Sequence, residues 1–244
     1  MNTMSASLAK VPEKVSENRN VLVWDVPVRL FHWLMVASFA GAWFTAENES
    51  LRLLHVTLGY TMGGLVAFRV LWGLVGSRYA RFSNFVRGPR VVVRHIREML
   101  RGHPEHHTGH NPLGALAIVA LLLLALAVTA SGWGSYSDVG GKWLEETHEA
   151  VSGIMLTIVF FHIAGVLFSS WLQGENLIGA MFTGRKPGVA EDAIGKPRRS
   201  AAVVLFAIVA AFWWLQWQNA PDGSGLADFS AASVSIRHHA HDDD

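Results

Sequence analysis

Apolar residues in this chain gather into long runs instead of narrow stripes. Leu113–Ala130 holds no charged residue, and neither does Ala201–Trp217. Uninterrupted apolar runs of about 18 residues or more read as membrane helices, whereas a soluble helix alternates an apolar face with a polar one. The pattern predicts five spans, at Val26–Phe44, Leu53–Val75, Leu113–Ser131, Glu146–Trp171 and Ser200–Trp217. Each is near the length a helix needs to cross a bilayer at about 1.5 Å per residue. Trp24, Trp43, Trp72, Trp133, Trp143, Trp171, Trp214 and Trp217 cluster at the predicted ends. That is where the aromatic belt of a membrane protein sits. The expected fold class is an all-α integral membrane protein.

Loop charges predict its orientation. Between spans two and three lie Arg78, Arg81, Arg87, Arg90, Arg94, Arg97 and Arg101; between spans four and five lie Arg185, Lys186, Lys196, Arg198 and Arg199. The other two loops carry only Arg52 and Lys142. The positive-inside rule then places the N-terminus in the cytoplasm and the C-terminus outside. Residues 1–20 are polar and show no signal-peptide pattern, so the first span is expected to remain uncleaved. Within the first basic loop, Arg90, Arg94, Arg97 and Arg101 recur at helical spacing beside Val92, Val93, Ile96, Met99 and Leu100. This predicts a helix over 89–101 lying on anionic lipid, with an ordinary solvated loop helix as the alternative.

Composition narrows the chemistry. A formal net charge of +1 points to no nucleic-acid partner. The chain has no cysteine, which excludes disulfides, covalent c-type haem attachment and cysteine-ligated iron–sulfur clusters. A bound redox metal must therefore be held by other donors, with histidine foremost.

Four of the twelve histidines fall in or at the edge of predicted spans: His32, His55, His148 and His162. Ionisable groups at membrane depth are costly and usually functional, although a lone one can simply bond a neighbouring helix. Their arrangement favours function. His148 and His162 stand 14 residues apart on span four, almost four turns, so they share a face and lie about 21 Å apart along the axis. His55 opens span two at the depth of His148, and His32 opens span one at the depth of His162. The expectation is two stacked bis-imidazole sites, His55/His148 outside and His32/His162 inside, each able to clamp one haem iron within a helical bundle. Two zinc sites are a weaker alternative, because zinc wants four tetrahedral donors.

Arg69 lies 14 residues after His55, on the same face at the inner depth, and Arg29 lies three residues before His32. Both are candidates to hold haem propionates, with snorkelling to inner headgroups as the competing reading. Gly59, Gly63 and Gly64 allow either a flat macrocycle or a neighbouring helix to approach.

The segments WDVPVRLFHW (24–33), HVTLGYTMGGLVAFRVLWGLVG (55–76), RGHPEHHTGHNPLGALA (101–117) and HEAVSGIMLTIVFFH (148–162) together resemble the bacterial cytochrome b561 family, which includes the cytochrome b subunits of nickel–iron hydrogenases. The resemblance covers roughly residues 21–187. It implies a four-helix dihaem transmembrane bundle with two non-covalent haem b groups and with His32, His55, His148 and His162 as axial ligands. It also implies electron transfer between quinone and a periplasmic redox protein, such as a c-type cytochrome or a hydrogenase. The expected organisation is a polar cytoplasmic segment at 1–20, the cytochrome domain at 21–187, a linker and fifth helix at 188–218, and an acidic, disordered periplasmic tail at 219–244.

Two other functions compete: a stand-alone haem oxidoreductase acting on a small species at the outer haem, and a non-redox metal transport or assembly protein. His95, His103, His106, His107 and His110 are expected to be solvated or headgroup-facing. The tail Arg237–Asp244 is rich in His and Asp, and it is expected to be a disordered end more than a metal site. With Asp222 and Asp228, it makes an acidic surface suited to a basic partner.

Overall fold

The computed structural model describes residues 19–86, 88–101 and 109–219. The polar segment before them, His103, His106, His107, Asp222, Asp228 and the His/Asp tail lie outside the described residues.

Five long helices carry the architecture: α1 (Val26–Thr45), α2 (Arg52–Val75), α5 (Pro112–Tyr136), α6 (Lys142–Gln173) and α8 (Arg199–Gln218). Two of them start from the same local chemistry. Asp25 caps α1 by accepting from Val28 N, and Asn111 caps α5 by accepting from Gly114 N, each with a proline in the first turn. A short polar acceptor satisfies an orphan N–H there, and proline lacks the N–H that would otherwise need a partner. Gly174 ends α6 with a φ of 66°, a left-handed conformation natural to glycine.

Among the described residues, four helices are long and apolar enough to cross a membrane: Glu49–Val75, Pro112–Tyr136, Lys142–Gln173 and Arg199–Gln218. Helix α1 has 20 residues, but Arg29 and His32 lower its apolarity. The surface agrees with lipid as solvent. Leu71, Leu74, Phe160, Phe161, Phe206 and Trp214 are all more than half exposed. Such a concentration of bare apolar side chains marks a membrane or partner surface.

The helices pack in series, α1 on α2, α2 on α5 and α5 on α6, while α8 lies against α1 and α2. Helix α6 follows α5 closely and does not pack tightly along α1 or α2. Only Met155 and Ser169 of its 32 residues are buried. A core of Met62, Val66, Ala125, Val128 and Met155 joins α2, α5 and α6 at mid-depth. Gly63 permits close approach there, since a methyl at that position would come within 2.7 Å of Thr129 Cγ2. Helix α8 is tied on by a hydrogen bond from Trp213 Nε1 to Thr61 Oγ1 at 2.9 Å.

The end carrying the basic loops, expected from sequence to face inward and termed the inner end, is closed by elements that the apolar pattern does not reveal. Strand β1 (Arg19–Leu22) pairs antiparallel with β2 (Arg185–Gly188), which follows the short helix α7 (Leu177–Thr183). The backbone N–H groups of Val23 and Trp24 both donate to Gly184 O, and Tyr79 OH donates to Asp192 O at 3.0 Å. The boundary expected at residue 187 therefore falls inside a strand. The connection from α6 to α8 is a built cap on the bundle and not a simple basic linker.

The basic helix expected at 89–101 is α4 (Pro89–Leu100), with Arg90, Arg94 and Arg97 exposed and His95 buried. Two of the loop histidines correct their expected solvation. His95 is 3% exposed. The His110 ring lies 4.4 Å from Trp24 and 4.6 Å from Phe85, centre to centre. Loop position alone suggests solvent for both, but packing of short elements onto the bundle end covers them.

Candidate haem-binding site

Helix α6 carries His148 and His162 with Met155 midway, at intervals of seven residues, so all three share one face. Helix α2 repeats the spacing with His55, Met62 and Arg69. The two faces meet at Met62 and Met155 in the common core.

At the outer end, the rings of His55 and His148 face each other with centres 6.1 Å apart and planes at 80°. Two imidazoles bonding one metal at about 2 Å through their near nitrogens have centres about 6 Å apart. The pair therefore has the span of a single shared ion. The remaining nitrogens are already committed. His55 Nδ1 lies 2.9 Å from Ala42 O, and His148 Nδ1 lies 3.0 Å from Val128 O. A carbonyl only accepts, so Nδ1 must carry the proton and donate it. That leaves Nε2 of each ring with a free lone pair, the arrangement that orients and strengthens imidazole ligands. Ser131 Oγ adds a contact to His148 Nδ1 at 3.4 Å.

Gly132 makes room for this ring, since a methyl there would stand 2.9 Å from His148 Cε1 and 3.0 Å from Nδ1. Gly132→Ala is expected to push the imidazole off its axis and lower outer-site haem retention severalfold, leaving the inner site intact. Haem content and the reduced absorption spectrum check this. An unchanged spectrum would show that the ring has space to spare.

At the inner end, His162 lies close enough to His32 to act on it electrostatically. His32 Nδ1 is buried and has no hydrogen-bond partner among the described residues. Buried polar atoms in folded proteins nearly always have a partner, so this ring suits a group that the chain itself does not supply. Arg29 shares that feature at Nε, while its Nη1 donates to Phe182 O. Arg69 is only 2% exposed, which rules out snorkelling to the headgroups. It donates to Ala80 O at 2.9 Å, and its guanidinium lies 5.0 Å from the centre of Phe82 and 5.8 Å from that of Phe85. The two arginines expected to hold propionates thus differ. Arg29 retains an unpartnered donor, whereas Arg69 is held by a carbonyl and two aromatic faces.

Two further residues, neither assigned a role from sequence, belong to this end. Asp25 is fully buried and binds Val28 N and Trp72 Nε1. Its signal is an acidic residue just before the Pro27 helix start. His110 sits between aromatic rings, and burial pushes its pKa down to about 3, with Arg69, Lys186 and His162 adding positive neighbours. It is therefore a neutral ring at physiological pH. No sequence signal distinguishes it from the other loop histidines.

These residues fit b-type haem. The outer pair has the right span and free nitrogens, and the inner end has a buried imidazole nitrogen and cations near it. Gly59 and Gly165, each one turn along from a histidine, present backbone that a methyl would extend without meeting any atom within 4 Å. Among the described residues, no group of three or more His, Cys, Asp or Glu comes together. Neither pair therefore has the donor set of a tetrahedral zinc.

Fold and site together define a class: a multi-pass helical membrane protein whose interior holds a facing pair of imidazoles. The chain belongs to the prokaryotic cytochrome b561 family, whose model matches residues 23–184. It is thus a membrane cytochrome of the b type, a class that transfers electrons.

Relatives are distant but extended. A probable Ni/Fe-hydrogenase B-type cytochrome subunit of Rhizobium leguminosarum bv. viciae is 22% identical over 71% of this chain and 92% of its own length. The probable Ni/Fe-hydrogenase 1 B-type cytochrome subunit of Escherichia coli (strain K12) is 23% identical over 70% and 84%. A probable Ni/Fe-hydrogenase B-type cytochrome subunit of Azotobacter vinelandii is 28% identical over 53% and 65%. No solved structure matches the chain.

Proposed function

We propose that this chain carries electrons across the bacterial inner membrane between a periplasmic redox protein and membrane quinone, using two haem b groups. His55 and His148 hold the outer one, and His32 and His162 hold the inner one. The observation carrying this reading is the outer imidazole pair, spaced for one iron with both Nδ1 protons pinned to backbone carbonyls. When bound, a bis-imidazole haem supplies a one-electron iron couple whose axial positions are both filled, which favours electron transfer over oxygen or substrate binding.

The protein's own part is to hold and space these groups. The backbone of α6 fixes a separation of about 21 Å along its axis. Met62 and Met155 fill the gap between the two levels with apolar, polarisable side chains. Helix α1 crosses the membrane despite Arg29 and His32, whose Nε and Nδ1 atoms are buried. Helix α8 is the fifth crossing, added to a four-helix core. The basic inner loops support an N-terminus in the cytoplasm and a C-terminus in the periplasm.

The relatives' printed names favour a nickel–iron hydrogenase over a c-type cytochrome as the outer partner. A stand-alone oxidoreductase has no specific observation in its favour.

Membranes containing the protein and a nickel–iron hydrogenase, exposed to hydrogen, test this reading. The expected result is reduction of both b-type haems, followed by reoxidation when an oxidised quinone is added. Haems that hydrogen leaves oxidised, but a reduced c-type cytochrome reduces, would transfer the partner role to the latter. Haems that quinone fails to reoxidise would remove quinone from the scheme.

A further inference from the structure

Asp25 is fully buried, and both of its carboxylate oxygens are engaged. Oδ1 accepts from Val28 N at 2.9 Å, and Oδ2 accepts from Trp72 Nε1 at 3.0 Å. Capping α1 requires only a neutral acceptor such as Ser, Thr or Asn. A full charge in this position is costly unless opposite charge lies near. Asp25 acts electrostatically on both Arg29 and Arg69, the two arginines grouped around the inner site. Lys186 at the same end pairs with Glu175 at 3.0 Å. Asp25 is thus a carboxylate set among cations, with Arg199 also acting on Arg29, and His32 stands seven residues, about 10 Å, further along α1.

We propose that Asp25 is a redox-tuning residue: its fixed negative charge offsets part of the surrounding arginine charge and holds down the reduction potential of the inner haem. The inference rests on the reading that His32 and His162 hold a haem. Reduction adds one electron, supplied by the redox partner, and takes ferric iron to ferrous with no bond made or broken. Fixed charge nearby therefore weighs directly on the equilibrium, and more heavily in the low dielectric of a membrane bundle than in water. Asp25 reaches the iron only through this field and through the arginines it steadies, so it is a positioning residue and not a ligand.

The test is a spectroscopic redox titration of the purified haem-loaded protein and of Asp25→Asn, which keeps a capping oxygen and removes the charge. The inner haem's reduction equilibrium is expected to move at least tenfold toward the reduced form, about 59 mV upward for a one-electron couple, with the outer haem unchanged. Asp25→Glu is expected to return the potential toward that of the parent. Asp25→Asn combined with Trp72→Phe, which removes the N–H facing the new amide, is expected to keep the upward shift.

An unshifted inner potential in a variant that binds both haems would overturn the proposal, as would an equal shift of both haems. Loss of the inner haem from both asparagine variants would do the same, because Asp25 would then be purely structural. A parent protein lacking an inner haem would refute the haem reading itself, a result separable from all of these.

Discussion

Replacing His148 with alanine is expected to halve the haem content of the purified protein, from two per chain to one. Replacing His55 is expected to give the same result. The two rings stand 6.1 Å apart, centre to centre, so neither has another facing imidazole to recruit for the outer iron. The remaining haem should keep its spectrum and potential, because Met62 and Met155 separate the levels. His32→Ala and His162→Ala should remove the other haem and spare this one. Haem-to-protein ratio and the split of the reduced absorption band measure the outcome. Loss of the same haem from His55→Ala and His32→Ala would contradict the pairing by depth.

Arg69→Met is expected to destabilise the fold by about 1–3 kcal/mol, the typical cost of leaving a buried acceptor, here Ala80 O, without its donor. The buried Asp25 carboxylate would keep its two N–H donors but lose one of the cations acting on it. Ala80 O would lose the donor that ties the α2–α3 turn, where α3 is Phe82–Phe85, to the bundle. Methionine matches much of the arginine's length, so a void contributes little to the effect. Thermal unfolding of the detergent-solubilised protein reads it. A midpoint within a degree of the parent would show that Arg69 is dispensable to the inner end.

The long-range plan was legible because two simple periodicities encode it. The apolar runs located α1, α2, α5, α6 and α8 to within a few residues, except that α5 and α6 run further at the outer end. The 14-residue spacing on α6 put His148 and His162 on one face, and span direction then matched each to a partner by depth. What stayed hidden was short and polar. Strands β1 and β2 have four residues each and come from opposite ends of the bundle domain. Their pairing depends on the tertiary fold, and RKPG shows no strand alternation. His110 reads as one more loop histidine until Trp24 and Phe85 enclose it. Asp25 is assigned no role from sequence, and its link to Trp72, 47 positions away, exists only once α1 and α2 have packed.

Low-temperature electron paramagnetic resonance of the oxidised, purified protein, together with its haem-to-chain ratio, bears most directly on the imidazole clamps. Facing histidines predict two distinct low-spin ferric signals and two haems per chain. High-spin iron, or a chain that takes up no haem from cells well supplied with it, would contradict the account.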